Sequence, residues 1–479
     1  MADTTATVPA AHNEKLDPAV LKISLILLVG ALAPLFDTTI MNVAVNTLTH
    51  SLHTTVSSIQ WVITGYLLTL SMTIPLSGWA VDRFGGRRMW MFALIVFLAG
   101  SVLSALSRDV GSLIVFRLIQ GVGAGLIYPI MQTLVVQTSG GRNLGQVMSI
   151  ISLPALLGPI LGPVLGGIIV DNLSWQWIFF VNIPICMIAL LLAWWGLPVD
   201  EPCTNNQSID IIGILLLSPA FALFIYAICQ VGSHGGVISS ATIIPLAIGL
   251  LLMASFVVYA LRTKNTPVID LHLFKSRNFS ASAVLLFLSG IITTGAMFLL
   301  PLFYQQVRGE SVLCTGLLLI PQGAGMLLTR RWLGILTDRT GPGKIVIISL
   351  MVTIVSTLPF VFAGPETSPV LLAVALFVRG AGLGGVLIPI MVSAYQGLSR
   401  EQIPQASIAT RIFQQLGGAF GSAVLAVIIE HQLLAYPSSD IPAVTGVYDV
   451  TFLWLIGFTL IAAIVALFLP MRKTGLAIT

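Results

Sequence analysis

The stretch GWAVDRFGGRRM at 78–89 recurs in the second half of the chain as GILTDRTGPGKI at 334–345. Glycine, aspartate, arginine and glycine match at four positions of the two stretches, each time with an offset of 256 residues. A second pair, LIYPIM at 126–131 and VLIPIM at 386–391, is offset by 260 residues. Two nearly equal offsets favour a duplicated unit over coincidence. The two halves of the chain are therefore predicted to share one fold.

The composition is typical of an integral membrane protein. Of the 479 residues, 56% are hydrophobic and 8% are charged, whereas a soluble protein carries about 25% charged residues. The mean hydropathy is +0.99. The four cysteines are scattered and form no CxxC pair, so neither a metal site nor a disulfide framework is predicted.

Fourteen apolar segments are candidate membrane spans, because a spanning helix needs about 20 mainly apolar residues. They lie near 22–46, 57–81, 88–107, 111–137, 144–170, 175–198, 209–230, 237–261, 279–304, 312–337, 344–363, 368–397, 403–430 and 450–470. The repeated stretch closes the second span of each unit, so each unit has six helices and two helices are inserted between the units. Parallel six-helix halves are the architecture of major facilitator transporters.

This count divides the chain into five segments. They are an N-terminal tail (1–21), a six-helix bundle (22–198), a linker with two inserted spanning helices (199–277), a second six-helix bundle (278–470) and a C-terminal tail (471–479). Fifteen of the 22 lysines and arginines then lie on one membrane face and two on the other. Because basic loops are cytoplasmic, both tails are predicted to be cytoplasmic.

Asp37 lies inside the first apolar segment, LILLVGALAPLFDTTIMNVAV at 25–45. A charged side chain at the bilayer centre costs roughly 2.5–3.5 kcal/mol even on a lenient insertion scale. Asp37 is also the only one of the 18 acidic residues near the middle of a predicted span. It is therefore a candidate for binding a proton or a cationic substrate, on a helix that faces a water-filled cavity. The alternative is a carboxylate that only forms structural hydrogen bonds.

Arg117 and Gln120 lie within the fourth predicted span, three residues apart and hence on one face. An arginine inside the membrane is a functional candidate by default. We expect Arg117 to modulate the affinity of Asp37 for its proton. The alternative is an arginine that extends to the membrane surface.

A further set of aromatic and polar side chains is predicted to line the substrate cavity together with Asp37. Aromatic and amide walls suit large amphipathic or cationic molecules, whereas core packing is the alternative for each residue. The set comprises Gln60, Trp61, Tyr66, Gln120, Tyr304, Gln305, Gln322, Tyr395, Arg411, Phe413 and Gln414.

The repeated loop is a candidate conformational switch between the two halves. Asp82 lies at a helix end, where a carboxylate can meet arginines or the positive N-terminus of a neighbouring helix. Arg87 and Arg88 have the alternative role of fixing the topology at the headgroup level. The predicted switch residues are Gly78, Asp82, Arg83, Gly85, Arg87, Arg88, Asp338 and Arg339.

The fifth predicted span carries the sequence LPALLGPILGPVLGG at 153–167. Small residues at a spacing of four make a flat helix face for close packing, and the prolines allow bending. A purely structural helix interface is the alternative. The residues concerned are Gly158, Gly162, Pro163, Gly166 and Gly167.

Together these stretches resemble the major facilitator superfamily, and more narrowly its fourteen-helix drug–proton antiporters, the EmrB/QacA group. GWAVDRFGGRR resembles the loop motif after the second helix of that family, and FRLIQGVGAG at 116–125 its fourth-helix motif, whose arginine is tied to proton coupling. GPILGPVLGG at 158–167 is similar to the fifth-helix motif of antiporters. FDTTIMNVAV at 36–45 and WQWIFFVNIPI at 175–185 resemble stretches of the fourteen-helix group.

The resemblance implies a proton-coupled multidrug efflux antiporter of the cytoplasmic membrane that works by alternating access. Its substrates are expected to be amphipathic and cationic. It needs no cofactor, since the proton gradient drives it, and its surroundings are membrane lipids and not nucleic acid. In a Gram-negative cell, a membrane-fusion or outer-membrane partner is a further expectation.

The sequence departs from the family pattern in ways that leave a second transport hypothesis open. Arg330 and Arg331 lie where the family is normally apolar, and Arg411 precedes Gln414 and Gln415 where the family often has an arginine before the glycine pair. Arg330, Arg331 or Arg411 are candidate ligands of an anionic metabolite. Extension of Arg330 and Arg331 to phospholipid headgroups is the other explanation. A membrane enzyme or sensor is disfavoured, because the six histidines are isolated and no nucleotide-binding motif is present.

Overall fold

The computed structural model describes residues 17–54, 56–140, 143–151, 162, 165–166, 168–169, 173–200, 210–231, 239–263, 267–399, 401–433 and 441–471. Within these residues all regular secondary structure is helical. The predicted all-α membrane architecture is thereby confirmed.

In the first half, the described part of the chain forms α1 (Pro18–Val43), α2 (Val45–Ser51), α3 (Val56–Thr73), α4 (Leu76–Phe84), α5 (Gly86–Ala105), α6 (Val110–Ser139), α7 (Leu144–Ile151), α8 (Trp177–Phe180) and α9 (Asn182–Gly196). An inserted hairpin follows, with the helices α10 (Ile211–Val231) and α11 (Ser240–Arg262), and then a short 3-10 helix, Leu271–Lys275. The second half forms α12 (Arg277–Gln306), α13 (Val312–Leu318), α14 (Ile320–Thr340), α15 (Pro342–Val361), α16 (Pro369–Tyr395), α17 (Ile403–Leu433) and α18 (Ile441–Ala466).

The described residues contain ten helices that are long and apolar enough to cross a membrane. The pair α3 and α4 adds an eleventh span if it is counted as one, with a bend of 54° between its parts. Pro75 lies in that bend, and a proline lacks the backbone N–H that a continuous helix needs. About half of the predicted span at 144–170 lies outside the described residues, and the count of fourteen stays a prediction.

The two copies of the repeated loop have the same backbone conformation. Gly85 ends α4 with φ 91° and ψ 150°, and Gly341 ends α14 with φ 95° and ψ 154°. A positive φ of this size with extended ψ is accessible mainly to glycine. The match between the two sequence repeats therefore extends to the geometry of the turn that each one forms.

Small residues on α6 bring three helices of the first half together. A Cβ added at Gly121 would lie 2.7 Å from the carbonyl oxygen of Tyr66 on α3, and one at Gly123 would lie 2.5 Å from the backbone nitrogen of Phe97 on α5. Backbones that approach this closely leave no space for a side chain. This packing orients the face of α6 that carries Arg117.

The inserted hairpin packs through α10 against α3 of the first half and α17 of the second half, while α11 packs mainly on α10. Asp210, just before α10, accepts hydrogen bonds from Tyr259 Oη at 2.6 Å and from the backbone nitrogen of Val268 at 3.0 Å. One carboxylate therefore joins both helices of the hairpin to the segment that leads into the second half.

We expect Gly123→Ala to destabilise the protein by about 1–3 kcal/mol, the usual cost of overpacking, because its methyl group collides with the backbone of α5. Thermal unfolding of the purified protein in detergent measures the effect. Gly457→Ala is the matched control, since a Cβ at this mid-helix glycine of α18 meets no atom within 4 Å. That control should unfold at an equal or higher temperature. Equal losses of stability in both variants would contradict the packing argument.

Candidate functional site

Asp37 is the centre of a buried polar cluster in the first half. Its Oδ2 accepts a hydrogen bond from Arg117 Nη1 at 2.5 Å, and the two side chains form an ion pair. Its Oδ1 accepts from Gln120 Nε2 at 2.8 Å and from Asn182 Nδ2 at 3.0 Å. The helices α1, α6 and α9 each contribute to this cluster, and none of Asp37 is exposed.

Arg117 and Gln120 lie on the same face of α6, as their spacing of three residues predicts, and their side chains are in contact. Arg117 Nη1 also donates to Gln120 Oε1 at 2.7 Å, and Gln120 Nε2 donates to Ser101 Oγ on α5 at 2.8 Å. The guanidinium lies 4.1 Å from the centre of the Tyr66 ring on α3. The close approach of α3 and α6 at Gly121 sets this contact between a cation and an aromatic face.

The position of Asp37 differs from the expectation of a helix face on a water-filled cavity. In this conformation the carboxylate lies inside the first bundle, because α1, α5, α6 and α9 converge on it. A buried ion pair of this kind resists the loss of either partner, since the remaining charge costs several kcal/mol. The arrangement therefore depends on both charges, because loss of either one leaves the other without its counterion.

Sequence reasoning missed two members of the cluster, Asn182 and Ser101. Asn182 donates to both Asp37 Oδ1 and Ser101 Oγ, the latter at 3.3 Å, and its own Oδ1 is buried without a hydrogen-bond partner among the described residues. An asparagine inside the apolar run FFVNIPI at 179–185 was the available signal. A polar residue at that depth needs a partner in the membrane interior.

Arg411 lies where the second half meets the first. The centre of its guanidinium is 4.5 Å from the ring of Tyr128 on α6, and its Nη1 donates to Gln414 Oε1 at 3.5 Å. Tyr128 Oη donates to the carbonyl oxygen of Ala31 at 3.1 Å. The described residues contain no carboxylate in an ion pair with Arg411. Its charge between the two halves thus faces aromatic and amide groups.

Other residues of the predicted cavity lie in separate surroundings. Trp61 is 43% exposed, and its ring lies 5.8 Å from the ring of Tyr226 in the inserted hairpin. Phe413 lies 5.8 Å from Phe274 of the 3-10 helix. The side chain of Gln60 is outside the described part of the chain.

The second half distributes the remaining candidates along its helices. The buried Tyr304 packs beside Phe303 in an aromatic cluster, with ring centres 5.5 Å apart. Tyr395 Oη donates to Ser407 Oγ at 3.0 Å, and Gln305 is partly buried near the end of α12. Their role toward a substrate stays a prediction.

One row of residues on α14 joins the second half to α7 of the first half. The Asp338 carboxylate accepts hydrogen bonds from the backbone nitrogens of Gly145 at 2.9 Å and Gln146 at 3.3 Å. One turn earlier, a Cβ added at Gly334 would lie 2.7 Å from the carbonyl oxygen of Gly145. Asp338 therefore holds the N-terminus of α7, where a negative charge is stabilised by the helix dipole.

Arg330 continues this row by another turn. It is 5% exposed, and its Nε donates to the carbonyl oxygen of Ser149 on α7. Arg331 is exposed. The alternative in which both arginines extend to headgroups is therefore wrong for Arg330 in this conformation, because its guanidinium is buried between the halves.

The first copy of the repeated loop meets different partners. Asp200 accepts from the backbone nitrogens of Arg87 at 2.9 Å and Arg88 at 3.0 Å, so it caps the start of α5. A Cβ added at Gly78 would lie 2.7 Å from Ile408 of α17. Asp82 is partly buried at the end of α4, and the side chains of Arg83 and Arg339 are exposed.

The glycine-rich fifth span is described only in part. A Cβ added at Gly162 would lie 2.4 Å from the Cβ of Thr39, two residues after Asp37 on α1, and Gly166 is buried. Gly158, Pro163 and Gly167 lie outside the described residues. Close packing of this span on the helix that carries Asp37 agrees with its small residues. In the described part of the chain no group of three or more histidine, cysteine or acidic side chains is arranged to hold a metal ion.

Comparisons with known proteins agree with this architecture. The model of the Major Facilitator Superfamily matches residues 26–422. The multidrug resistance protein B homolog of Mycobacterium tuberculosis (strain ATCC 25618 / H37Rv) is 33% identical over 423 residues, which cover 88% of this chain and 78% of the relative. The multidrug export protein EmrB of Haemophilus influenzae is 29% identical, covering 85% of this chain and 80% of the relative.

Solved structures show the same fold. The proton:xylose symporter XylE bound to 6-bromo-6-deoxy-D-glucose has a TM-score of 0.61 and 14% identity, over 93% of this chain and 96% of that chain. At this level of identity the likeness concerns the fold alone. The resemblance seen in the sequence motifs is confirmed by the family match and the relatives. The chain is a multi-pass transport protein, not an enzyme, and it belongs to the Major Facilitator Superfamily.

Proposed function

We propose that this protein exports small amphipathic molecules across the cytoplasmic membrane in exchange for protons, with both termini in the cytoplasm. The observation that carries the proposal is the buried pair of Asp37 and Arg117, to which α1 and α6 contribute. Relatives named as multidrug resistance and multidrug export proteins support drug-like compounds as the substrate class. The proton gradient supplies the energy, and no cofactor takes part.

The coupling step is a change in the charge of the buried cluster. When Asp37 is ionised, Arg117 balances its charge at Oδ2, and Gln120 and Asn182 both donate to its Oδ1. A proton on Asp37 removes that charge and leaves the guanidinium without its counterion, which is costly in a dry interior. The protonated cluster must therefore rearrange, and α1 and α6 rearrange with it.

This rearrangement is expected to reach the contact between the halves. The helix α1 packs on α7, and α7 is held by Asp338 and Arg330 of α14. In this conformation the halves meet at the end of the bundle that carries the repeated loop, which the distribution of basic residues predicts to be cytoplasmic. When this contact opens, the substrate pathway becomes accessible from the predicted cytoplasmic side, as alternating access requires.

The charge of the exported molecule distinguishes two versions of this function. A cationic substrate remains our first choice because of the substrate class that the motifs imply. Transport of an anionic molecule is the second candidate, and the specific observation in its favour is Arg411, which lies between the halves against Tyr128 and without an ion pair among the described residues.

We expect Asp37→Asn to abolish efflux driven by a pH gradient while leaving substrate binding in place, because asparagine keeps the size of the side chain but cannot carry the proton. Dye transport in proteoliposomes with an imposed gradient measures this. Asp109→Asn is the control, since Asp109 is exposed and caps α6 through the backbone nitrogen of Ser112. Asp37→Asn that still concentrates dye against its gradient would remove the basis of the proposal.

We expect Arg330→Met to favour the conformation in which α7 and α14 are separated. Loss of one hydrogen bond to a charged group, about 1.5–3 kcal/mol, shifts a two-state population by roughly tenfold or more. A cysteine placed at Gln146, in a chain without its native cysteines, reports the opening through its rate of alkylation. Arg331→Met is the matched control, because the neighbouring arginine is exposed. Equal alkylation rates in both variants would show that Arg330 does not hold the two halves together.

A further inference from the structure

The second half contains a fully buried guanidinium that the coupling mechanism does not use. Arg379 lies on α16 and has no exposed surface. Its Nε donates to Thr357 Oγ1 on α15 at 3.3 Å, and its Nη1 donates to Gln322 Oε1 on α14 at 2.8 Å. Its Nη2 is buried and has no hydrogen-bond partner among the described residues.

The charge of Arg379 is also unbalanced. In the described part of the chain the arginine in the first half, Arg117, has Asp37 as its counterion, whereas no ion pair includes Arg379. A buried charge without a counterion costs several kcal/mol. An anion, or a group that accepts hydrogen bonds strongly, would offset this cost if it bound Arg379 during the transport cycle.

The polar groups around Arg379 define what could bind there. The hydroxyl of Thr357 donates its proton to the carbonyl oxygen of Thr353 at 2.7 Å, and the oxygen of Gln322 already accepts from Arg379. The unused groups are therefore N–H donors of the guanidinium. A planar guanidinium binds carboxylate and similar oxygens with two parallel hydrogen bonds and disfavours cations.

Gln322 is the group that covers this site. It lies near the start of α14, directly after the break at Leu319 that separates α13 from α14. Gln322 is only partly buried, whereas the guanidinium to which its side chain binds is fully buried. Displacement of this side chain would remove one of the two hydrogen bonds of Arg379 and free a second N–H donor for a bound oxygen.

We propose that Arg379 is a binding site for an acidic or carbonyl oxygen of the exported molecule, with Gln322 as a side chain that the bound oxygen displaces. The inference rests on the proposed export function and adds a substrate determinant to it in the second half. In this proposal, the pair of Asp37 and Arg117 in the first half binds the proton, and the unpaired Arg379 in the second half binds the substrate. A cationic compound that also carries a carboxylate therefore binds more tightly than the same cation without the carboxylate.

Equilibrium binding of two matched dyes to the purified full chain tests the inference without any proton gradient. Rhodamine 6G is an ethyl ester, and its free acid differs from it only by the carboxylate. In Arg379→Gln the affinity for the free acid falls about tenfold or more, as expected for a lost charge-assisted hydrogen bond, while the affinity for the ester does not fall. Arg308→Gln is the control, because in the described part of the chain Arg308 donates to the neutral carbonyl oxygens of Gly364 and Thr367.

A second variant covers the case in which Arg379→Gln fails to fold. Gln322→Glu places a carboxylate next to the intact guanidinium and thereby supplies the missing counterion. This variant should unfold at a higher temperature than the parent protein and lose the preference for the free acid. An unchanged preference in Gln322→Glu, or equal losses for both dyes in Arg379→Gln, would overturn the inference.

The two proposals fail in different ways. If Asp37→Asn still drives efflux while the dye preference depends on Arg379, proton coupling is wrong and the binding site stands. If the dye preference is independent of Arg379 while Asp37→Asn stops efflux, the export function stands and the substrate site lies elsewhere.

Discussion

A carboxylate and a guanidinium in a dry helix bundle constrain the rest of this structure. Asp37 and Arg117 lie on helices that are 80 residues apart in sequence, and neither charge is stable in the membrane interior without the other. The glycines of α6 bring the surrounding helices close enough to enclose the pair, and Gln120 and Asn182 bind the remaining carboxylate oxygen. The packing of the first half therefore depends on both charges of this pair.

The contact between the two halves also depends on polar groups at fixed positions along one helix. Along one face of α14, Arg330, Gly334 and Asp338 follow each other at intervals of one turn. The glycine allows α7 to approach, the aspartate holds its N-terminus, and the arginine binds a carbonyl oxygen further along. The negative Asp338 lies at the N-terminus of α7 and the positive Arg330 lies near its C-terminus. Both charges therefore interact favourably with the helix dipole. These polar groups add to apolar packing, since buried residues of both halves, Val147 and Ile408 among them, belong to one apolar cluster.

The two halves share a fold but differ in their charge balance. The first half encloses a paired arginine, whereas Arg379 and Arg411 of the second half lack a carboxylate partner in the part of the chain that the structure describes. Duplication explains the shared loop conformation at Gly85 and Gly341. Divergence after duplication explains how one half came to carry a titratable pair and the other half unpaired positive charge.

The sequence by itself determined the membrane class, the duplicated halves, the glycine turns and the polar positions Asp37, Arg117 and Gln120. These features are local: hydropathy, a required positive φ and a spacing of three residues can all be recognised in a short window. The tertiary structure alone decided which distant groups meet. It added Asn182 to a carboxylate 145 residues away, buried Arg330 between the halves, and separated Trp61 from the polar cluster. Such contacts depend on how each helix is rotated and where it crosses its neighbours, and in an almost uniformly apolar segment hydrophobic periodicity does not specify that rotation.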